Sequence, residues 1–474
     1  MVCSNERVFK ALARDGIAVT KKGPVFRVRL AGESTDASAE ILLPDTLRLE
    51  SKAVKQLVSF ASVRHPAGGE VRAAFATPDF HPGTIVPVGA VVATTRDMVI
   101  PQAIGTDIQC GMRLHVSDLN VERFIAGKDE LVKLLKGDLL LGTRDLPMRV
   151  SSMKAIFDGG CMAWLDDVRG DPLGRLSKSS MAQLSAELDN IYGLGSYDGL
   201  SKWAPSCMVP DNRDVVRDPS LATIGGGNHF VEIQVVEEVM DRRRAFEWGV
   251  KPGQVVFMIH SGSRMAGVSI GNYWIERAKK EWPSGLSFPR SGIFPLHGDS
   301  AQEYLVAMNS ASNYASVNRL LLAEIVRLRV REVYGHDREV PLLFDVPHNV
   351  ILEEGGLYIH RKGATPAHFG QPVLIPGSMG HSSYLMAGLG NARYLNSASH
   401  GAGRAKTRYQ MKQGKKKGID LGLSGVECIT LKEERLVQEA PAAYKPIEEV
   451  VGIQADVGIV APVARMRPLL TFKA

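Results

Sequence analysis

Only five cysteines occur in the 474 residues, Cys3, Cys110, Cys161, Cys207 and Cys428, and no two stand close enough to open a zinc ribbon or a redox pair. An odd, scattered set of this kind excludes a disulfide framework and makes most of these thiols small buried hydrophobes. Also missing is any uninterrupted run of roughly 18 apolar residues, which excludes a helical membrane span. The opening Met1-Val2-Cys3-Ser4-Asn5-Glu6-Arg7 lacks a signal-peptide core, so a cytoplasmic protein with no membrane partner is expected. Internal repeats and low-complexity linkers are absent too, and a single domain over residues 1–474 is the expectation.

A large excess of either charge is missing, since the net value is only +6, and composition alone names no partner. Its distribution says more. Arg404, Lys406, Arg408, Lys412, Lys415, Lys416 and Lys417 follow one another with no acidic residue between them. Such a run is either a solvated loop or a contact for a polyanion. With 45% apolar and 23% charged residues, the chain has ample material for a large folded core.

Periodicity places several elements. Phe26, Val28 and Leu30 alternate with Arg27 and Arg29, the pattern of a half-buried strand. Short helical spacing covers Lys128 to Leu135, and Leu184, Leu188 and Ile191 predict a longer amphipathic helix over Ser177 to Ile191. The clearest helix starts near Asp299-Ser300, where Ser300 and Glu303 form a capping-box pattern, and runs until Gly335 stops it. Two apolar runs end in polar residues: Val255-Val256-Phe257-Met258-Ile259 leads to His260, and Leu342-Leu343-Phe344 leads to Asp345-Val346-Pro347-His348. Strand ends are rigid platforms for chemistry.

Five donors stand at such points. Asp107 and Cys110 lie three residues apart in a glycine-flanked turn, His229 follows Gly225-Gly226-Gly227-Asn228, and His260 and His348 sit beside apolar runs. Imidazole, carboxylate and thiolate together suit manganese, zinc, cobalt or iron, and a thiolate can bridge two cations. Taken singly, each histidine is more simply a packed or surface residue, and spacing alone does not assemble the five.

A resemblance carried by seven strings supplies the assembly. The strings Pro78-Asp79-Phe80-His81-Pro82-Gly83, Asp107-Ile108-Gln109-Cys110-Gly111-Met112, Gly226-Gly227-Asn228-His229-Phe230, His260-Ser261-Gly262-Ser263-Arg264, Pro376-Gly377-Ser378-Met379-Gly380, Ser399-His400-Gly401-Ala402-Gly403-Arg404 and Arg465-Met466-Arg467-Pro468-Leu469-Leu470 resemble, in sequence, those of the RtcB family of RNA ligases. The resemblance runs from about residue 78 to the end, with Gln109 where the family usually has glycine, and with differences at Met265-Ala266-Gly267 and His381.

The resemblance implies an α+β fold, one large domain whose antiparallel and mixed sheets are flanked by helices around a central metal cleft. It implies one manganese ion on Cys110, His229 and His260, and a second on Asp107, Cys110 and His348. His400 is the implied nucleophile, taking GMP from GTP. The implied guanosine pocket comprises Asn228, His229, Phe230, Val231, Glu232, His348, Asn349, Pro376, Gly377, Ser378, Met379, Ser383, His400, Gly401, Ala402, Gly403 and Lys473. The implied partners are GTP, RNA ends bearing a 3′-phosphate or 2′,3′-cyclic phosphate and a 5′-hydroxyl, and an activating protein. A dinuclear phosphoesterase without nucleotide and a non-catalytic RNA-binding protein are the two alternatives carried forward. On the resemblance, the basic run after His400 reads as part of an RNA track.

Overall fold

The computed structural model describes residues 5–32, 38–416, 420–423 and 426–474. Cys3 and Lys417 lie outside them. Two large sheets carry the architecture. The first has seven strands, ordered Ile17–Lys22, Val25–Leu30, Ser38–Leu42, Val71–His81, Val88–Thr94, Leu357–Lys362 and Asn349–Glu354. The second runs Leu342–Pro347, Gly111–Asn120, Gln254–Ser261, Phe230–Val239, Val460–Lys473, Ser383–Gly388 and Pro372–Ile375, with Glu427–Thr430 added alongside Val460–Lys473. Pairing is antiparallel except where Ser38–Leu42 meets Val71–His81 and where Glu427–Thr430 meets Val460–Lys473. The mixed sheets with flanking helices are as expected.

Alternation explains the strand Val25–Leu30, where Phe26 and Val28 face the core and Arg27 and Arg29 face solvent. The chain crosses between the two sheets at one residue: Leu342–Pro347 belongs to the second, Asn349–Glu354 to the first, and His348 lies between them.

Helices differ from expectation in informative ways. The segment expected over 128–135 is a helix of 20 residues, Val121–Leu140, begun by the Asn120 side chain accepting from Arg123 N; Gly127 and Gly137 mask its length in the sequence. The helix expected over 177–191 is broken into Gly174–Lys178, Met181–Ala186 and Leu188–Asn190. Ser180 caps a new start there, and Glu187 turns inward to meet the buried Arg327 guanidinium. The long helix is Gly298–Tyr334, 37 residues and about 55 Å at 1.5 Å per residue. It ends at Gly335 as expected, yet no capping box forms. The helix starts ahead of Ser300, without a side-chain cap, and Glu303 instead accepts from Arg277 Nη1 at 2.8 Å.

Most of this helix is buried on every side, so it carries polar groups into the interior. Arg319 is fully buried, and its Nε and Nη2 donate to Asp345 at 2.7 to 3.0 Å. Arg113 donates to the same carboxylate at 3.2 Å. A buried pair of this kind contributes little net stability, but losing either partner leaves an uncompensated charge, so the arrangement fixes geometry.

Candidate metal centre and adjoining cavity

Strand register brings the five donors together. Gly111 pairs with Pro347 on one side and Ser261 on the other, and His260 pairs with both Met112 and Phe230. Cys110, His348, His260 and His229 therefore lie at the same end of four adjacent strands. His260 falls inside its strand, one residue before the end, not after it as the sequence suggested.

The side chains converge. Cys110 Sγ lies 3.2 Å from His229 Nε2 and 3.2 Å from His260 Nε2, His260 Nε2 lies 3.2 Å from His348 Nε2, and His229 Nε2 lies 3.0 Å from Asp107 Oδ2. By proximity they form two triads, Cys110 with His260 and His348, and Asp107 with Cys110 and His229. This division differs from the one the resemblance implies, yet Cys110 is shared in both.

The surroundings prepare these atoms for a cation. His229 Nδ1 faces the Ile224 carbonyl at 3.0 Å, which places the proton there and leaves the Nε2 lone pair pointing inward. Burial, then the neighbouring imidazoles, hold His260 and His348 well below the usual histidine range, so both are neutral at physiological pH and keep a lone pair for a cation. Burial alone would raise the Asp107 carboxyl, but His229 more than offsets it and lowers it. Burial and then the Asp107 charge push the Cys110 thiol well above its ordinary value. A thiol, a carboxylate and three imidazole nitrogens in mutual contact fit a divalent cation far better than they fit one another, and a bound cation would reverse the penalty on the thiolate.

The ligand loops are tightly built. A Cβ at Gly262 would lie 2.2 Å from Asp107 Oδ1, so only glycine lets the 260–263 turn pass the carboxylate. Gln109 adopts φ 55°, a left-handed conformation that costs a non-glycine residue about 1–2 kcal/mol. It is held by Arg319 Nη1 on its carbonyl at 2.7 Å, by its own amide N–H donating to Asn349 O at 2.8 Å, and by its side chain donating to Tyr197 Oη at 3.0 Å. Arg319 Nη1 also reaches Ser261 O at 3.2 Å, so one buried guanidinium ties two ligand segments together.

His400 borders this cluster, its ring centroid 4.8 Å from that of His348. Its Nδ1 meets Asp79 Oδ2 at 2.7 Å. Burial raises the Asp79 carboxyl, and the His400 hydrogen bond and charge outweigh that and lower it, so Asp79 is an anion. Lys445 Nζ donates to the Pro78 and Phe80 carbonyls on either side of it. Gly403 has φ 70°, and a Cβ there would meet the Asp79 carbonyl oxygen at 2.1 Å. Asp79 and Lys445 were not assigned roles from sequence: Asp79 sits in a quoted string, while Lys445 is an isolated lysine with no local signal.

A cavity of about 390 Å³ opens over the cluster, and His400 lines it together with Asp107, Cys110, His260 and His348. The imidazole is thus reachable by a small molecule. Of the expected nucleotide residues, Asn228, Phe230, Glu232, His348, Asn349, Pro376, Gly377, Ser378, Met379, His400, Gly401, Ala402, Gly403 and Lys473 also line it. His229 stands behind, against Cys110. Val231 points the other way: alternation along Phe230–Val239 sends Phe230 and Glu232 to the cavity and Val231 into the core beside Ile233 and Phe472. Ser383 lies beneath the cavity wall, where its Oγ accepts from Gln234 Nε2 at 2.9 Å and Gly377 N at 3.3 Å. Lys362 was not foreseen; it lines the cavity and donates to Ile104 O at 2.7 Å.

Glu232 gives a pH prediction for the nucleotide-free protein. It is 3% exposed, and burial outweighs the hydrogen bonds from Thr471 and Gln234, raising its carboxyl to about 7. The unfolded carboxyl releases its proton first, so stability is lost as pH rises from about 4.5 to 7, by roughly 3 kcal/mol. In Glu232→Gln that dependence should vanish. Urea unfolding should show the variant gaining on the wild type by about that amount between pH 5 and pH 8; a constant gap would refute the assignment.

The basic run is only partly free. Arg404 and Arg408 both bind Glu439, at 2.9 and 3.0 Å, and Lys412 approaches Glu434 at 3.5 Å. A helix covers Arg408–Lys416. Among the described residues no helix is long and apolar enough to cross a membrane.

Comparison with known proteins places residues 56–474 within the family model described as tRNA-splicing ligase RtcB. A tRNA-splicing ligase RtcB of Methanococcus maripaludis is 32% identical over 432 residues, 84% of this chain and 87% of the relative. One from Archaeoglobus fulgidus is 32% identical over 470 residues, covering 89% and 91%. An RNA-splicing ligase RtcB of Mycobacterium tuberculosis is 32% identical over 438 residues, covering 85% and 96%.

Proposed function

The chain belongs to the tRNA-splicing ligase RtcB family, and from that membership we propose that it is an RNA ligase of the cytoplasm, working as one domain over residues 1–474. It joins a 3′-phosphate or 2′,3′-cyclic phosphate end to a 5′-hydroxyl end, using GTP, in RNA repair or tRNA splicing, with an activating protein as an accessory partner. The observation that carries the reading is the Asp79–His400 pair at 2.7 Å, set beside the donor cluster and open to the cavity.

With Nδ1 bonded to the Asp79 carboxylate, the imidazole proton sits on that nitrogen and Nε2 keeps a lone pair. Nε2 attacks the α-phosphorus of GTP; the N–P bond forms, the bond to the bridging oxygen breaks, and pyrophosphate leaves. The GMP then passes to the RNA 3′-phosphate oxygen, freeing His400, and the 5′-hydroxyl oxygen attacks the activated phosphorus and expels GMP. A cyclic phosphate is opened by water first. Two manganese ions on Asp107, Cys110, His229, His260 and His348 would supply positive charge for the developing phosphoryl oxygens. The turn Gly401–Gly403 offers backbone N–H groups to the phosphates. Phe230 gives the nucleoside an apolar face, and Glu232 with Lys473 gives a base edge an acceptor and a donor. Asn228, Asn349, Pro376, Gly377, Ser378 and Met379 shape the remaining wall, and Val231 and Ser383 act from behind it.

The test is incubation of the wild-type protein with α-labelled GTP and manganese, followed by digestion and mass spectrometry. One GMP is expected on the peptide that contains His400, discharged when RNA with a 3′-phosphate is added. Release of phosphate from RNA ends with no label on the protein would favour the phosphoesterase instead.

A further inference from the structure

Past the His400 turn the cavity continues into a second, larger groove of about 870 Å³. The two share His81, Pro82, Arg404 and Arg408 in their walls, so a polymer whose end occupies the first can continue into the second. One wall of the groove is built by Leu47 to Lys52, which precedes the family match at residue 56, and the other by Arg404 to Gln410.

Its chemistry is that of a polyanion track. Arg404 and Arg408 share the one carboxylate of Glu439, while Arg48, Lys52 and Lys406 are exposed and have no carboxylate partner among the described residues. Glu50 is the lone acid in the lining, outnumbered there by Arg48, Lys52 and Lys406. Tyr409 lines the same groove and is 72% exposed, an aromatic face that nothing covers. Spaced cations beside an open aromatic ring suit a flexible strand of phosphates and bases, since every base has a face to stack. An acidic peptide has no use for the ring, whereas unpaired bases have free faces to lay on it.

We propose that this groove holds the single-stranded arm of the RNA leading away from the end being joined, with Arg48, Lys52 and Lys406 on phosphates and Tyr409 stacked on a base. The proposal rests on the ligase reading for the identity of the polymer, but the groove itself involves neither the metal donors nor His400.

Fluorescence anisotropy with a single-stranded RNA of about 12 nucleotides, in the absence of GTP and metal and over a salt series, tests it on the full chain. In Arg48→Ala/Lys52→Ala the slope of log affinity against log salt should be shallower by about 1.4, from two lost phosphate contacts at about 0.7 each. Tyr409→Ala should bind about tenfold more weakly with the slope unchanged, while Tyr409→Phe binds like the wild type. Lys406→Glu covers the case in which an alanine variant fails to fold. Wild-type affinity and slope in all of these variants would overturn the proposal, as would polyglutamate displacing the RNA equally well from wild type and Tyr409→Ala. Loss of RNA affinity in the variants, together with failure of the wild type to take label from GTP, would leave the groove standing and overturn the ligase reading alone.

Discussion

Cys110→Ala is expected to remove both metal ions at once, and with them nearly all transfer of GMP to the protein. Cys110 is the one donor common to both triads, with two imidazole nitrogens at 3.2 Å from its sulfur. Loss of an outer-shell partner alone weakens a metal site by about 10–100-fold, so loss of a shared ligand should cost at least about 100-fold for each ion. Charge stabilisation by metal contributes several kcal/mol to the transition state, and label uptake should fall by about a thousandfold or more. In the metal-free protein the change is small, because alanine replaces a buried, neutral thiol. That contrast makes the measurement specific. Added manganese should raise the unfolding temperature of the wild type and leave that of Cys110→Ala where it was. Equal stabilisation of both proteins by manganese, or label uptake by the variant at the wild-type rate, would sink the shared-ligand assignment.

The donors were legible in the sequence as types and as neighbours of turns, yet their meeting was not. Asp107 and Cys110 are local, but His229, His260 and His348 join them only through the register of four strands, and no spacing rule encodes which strands pair. The resemblance to a family supplied that step. Periodicity read Phe26 and Val28 correctly because a strand with one buried face has one pattern. It failed at 177–191, where Glu187 is drawn inward by Arg327, a contact set by a helix 140 positions later in the chain. The Ser300 and Glu303 pattern was a true local signal overridden by Arg277, which takes the Glu303 carboxylate. Gln109 is a third kind of case. Its left-handed backbone is unfavourable by itself, and only Arg319, Asn349 and Tyr197 from distant segments hold it.

Asp79 belongs to the same class of long-range partner, and it yields the second large effect. Its Oδ1 accepts from the Thr77 hydroxyl while its Oδ2 faces His400 Nδ1. In Asp79→Asn the amide oxygen should stay with Thr77, which turns the amide N–H groups toward His400. The imidazole must then accept at Nδ1 and carry its proton on Nε2, the nitrogen that has to attack phosphorus. A wrong tautomer in an otherwise intact site has been worth about 10⁴-fold in a serine-protease triad, and a fall of about 10³–10⁴-fold in the rate of label uptake is expected here. Because the change adds or removes no volume and touches no metal donor, the affinity for GTP and the manganese-dependent rise in unfolding temperature should both persist. Asp79→Glu, which keeps the negative acceptor at a shifted position, should recover part of the rate. If Asp79→Asn were labelled within about threefold of the wild-type rate, less than 1 kcal/mol of transition-state stabilisation, the carboxylate would be a packing partner of His400, and the assignment of Nε2 as nucleophile would lose its support.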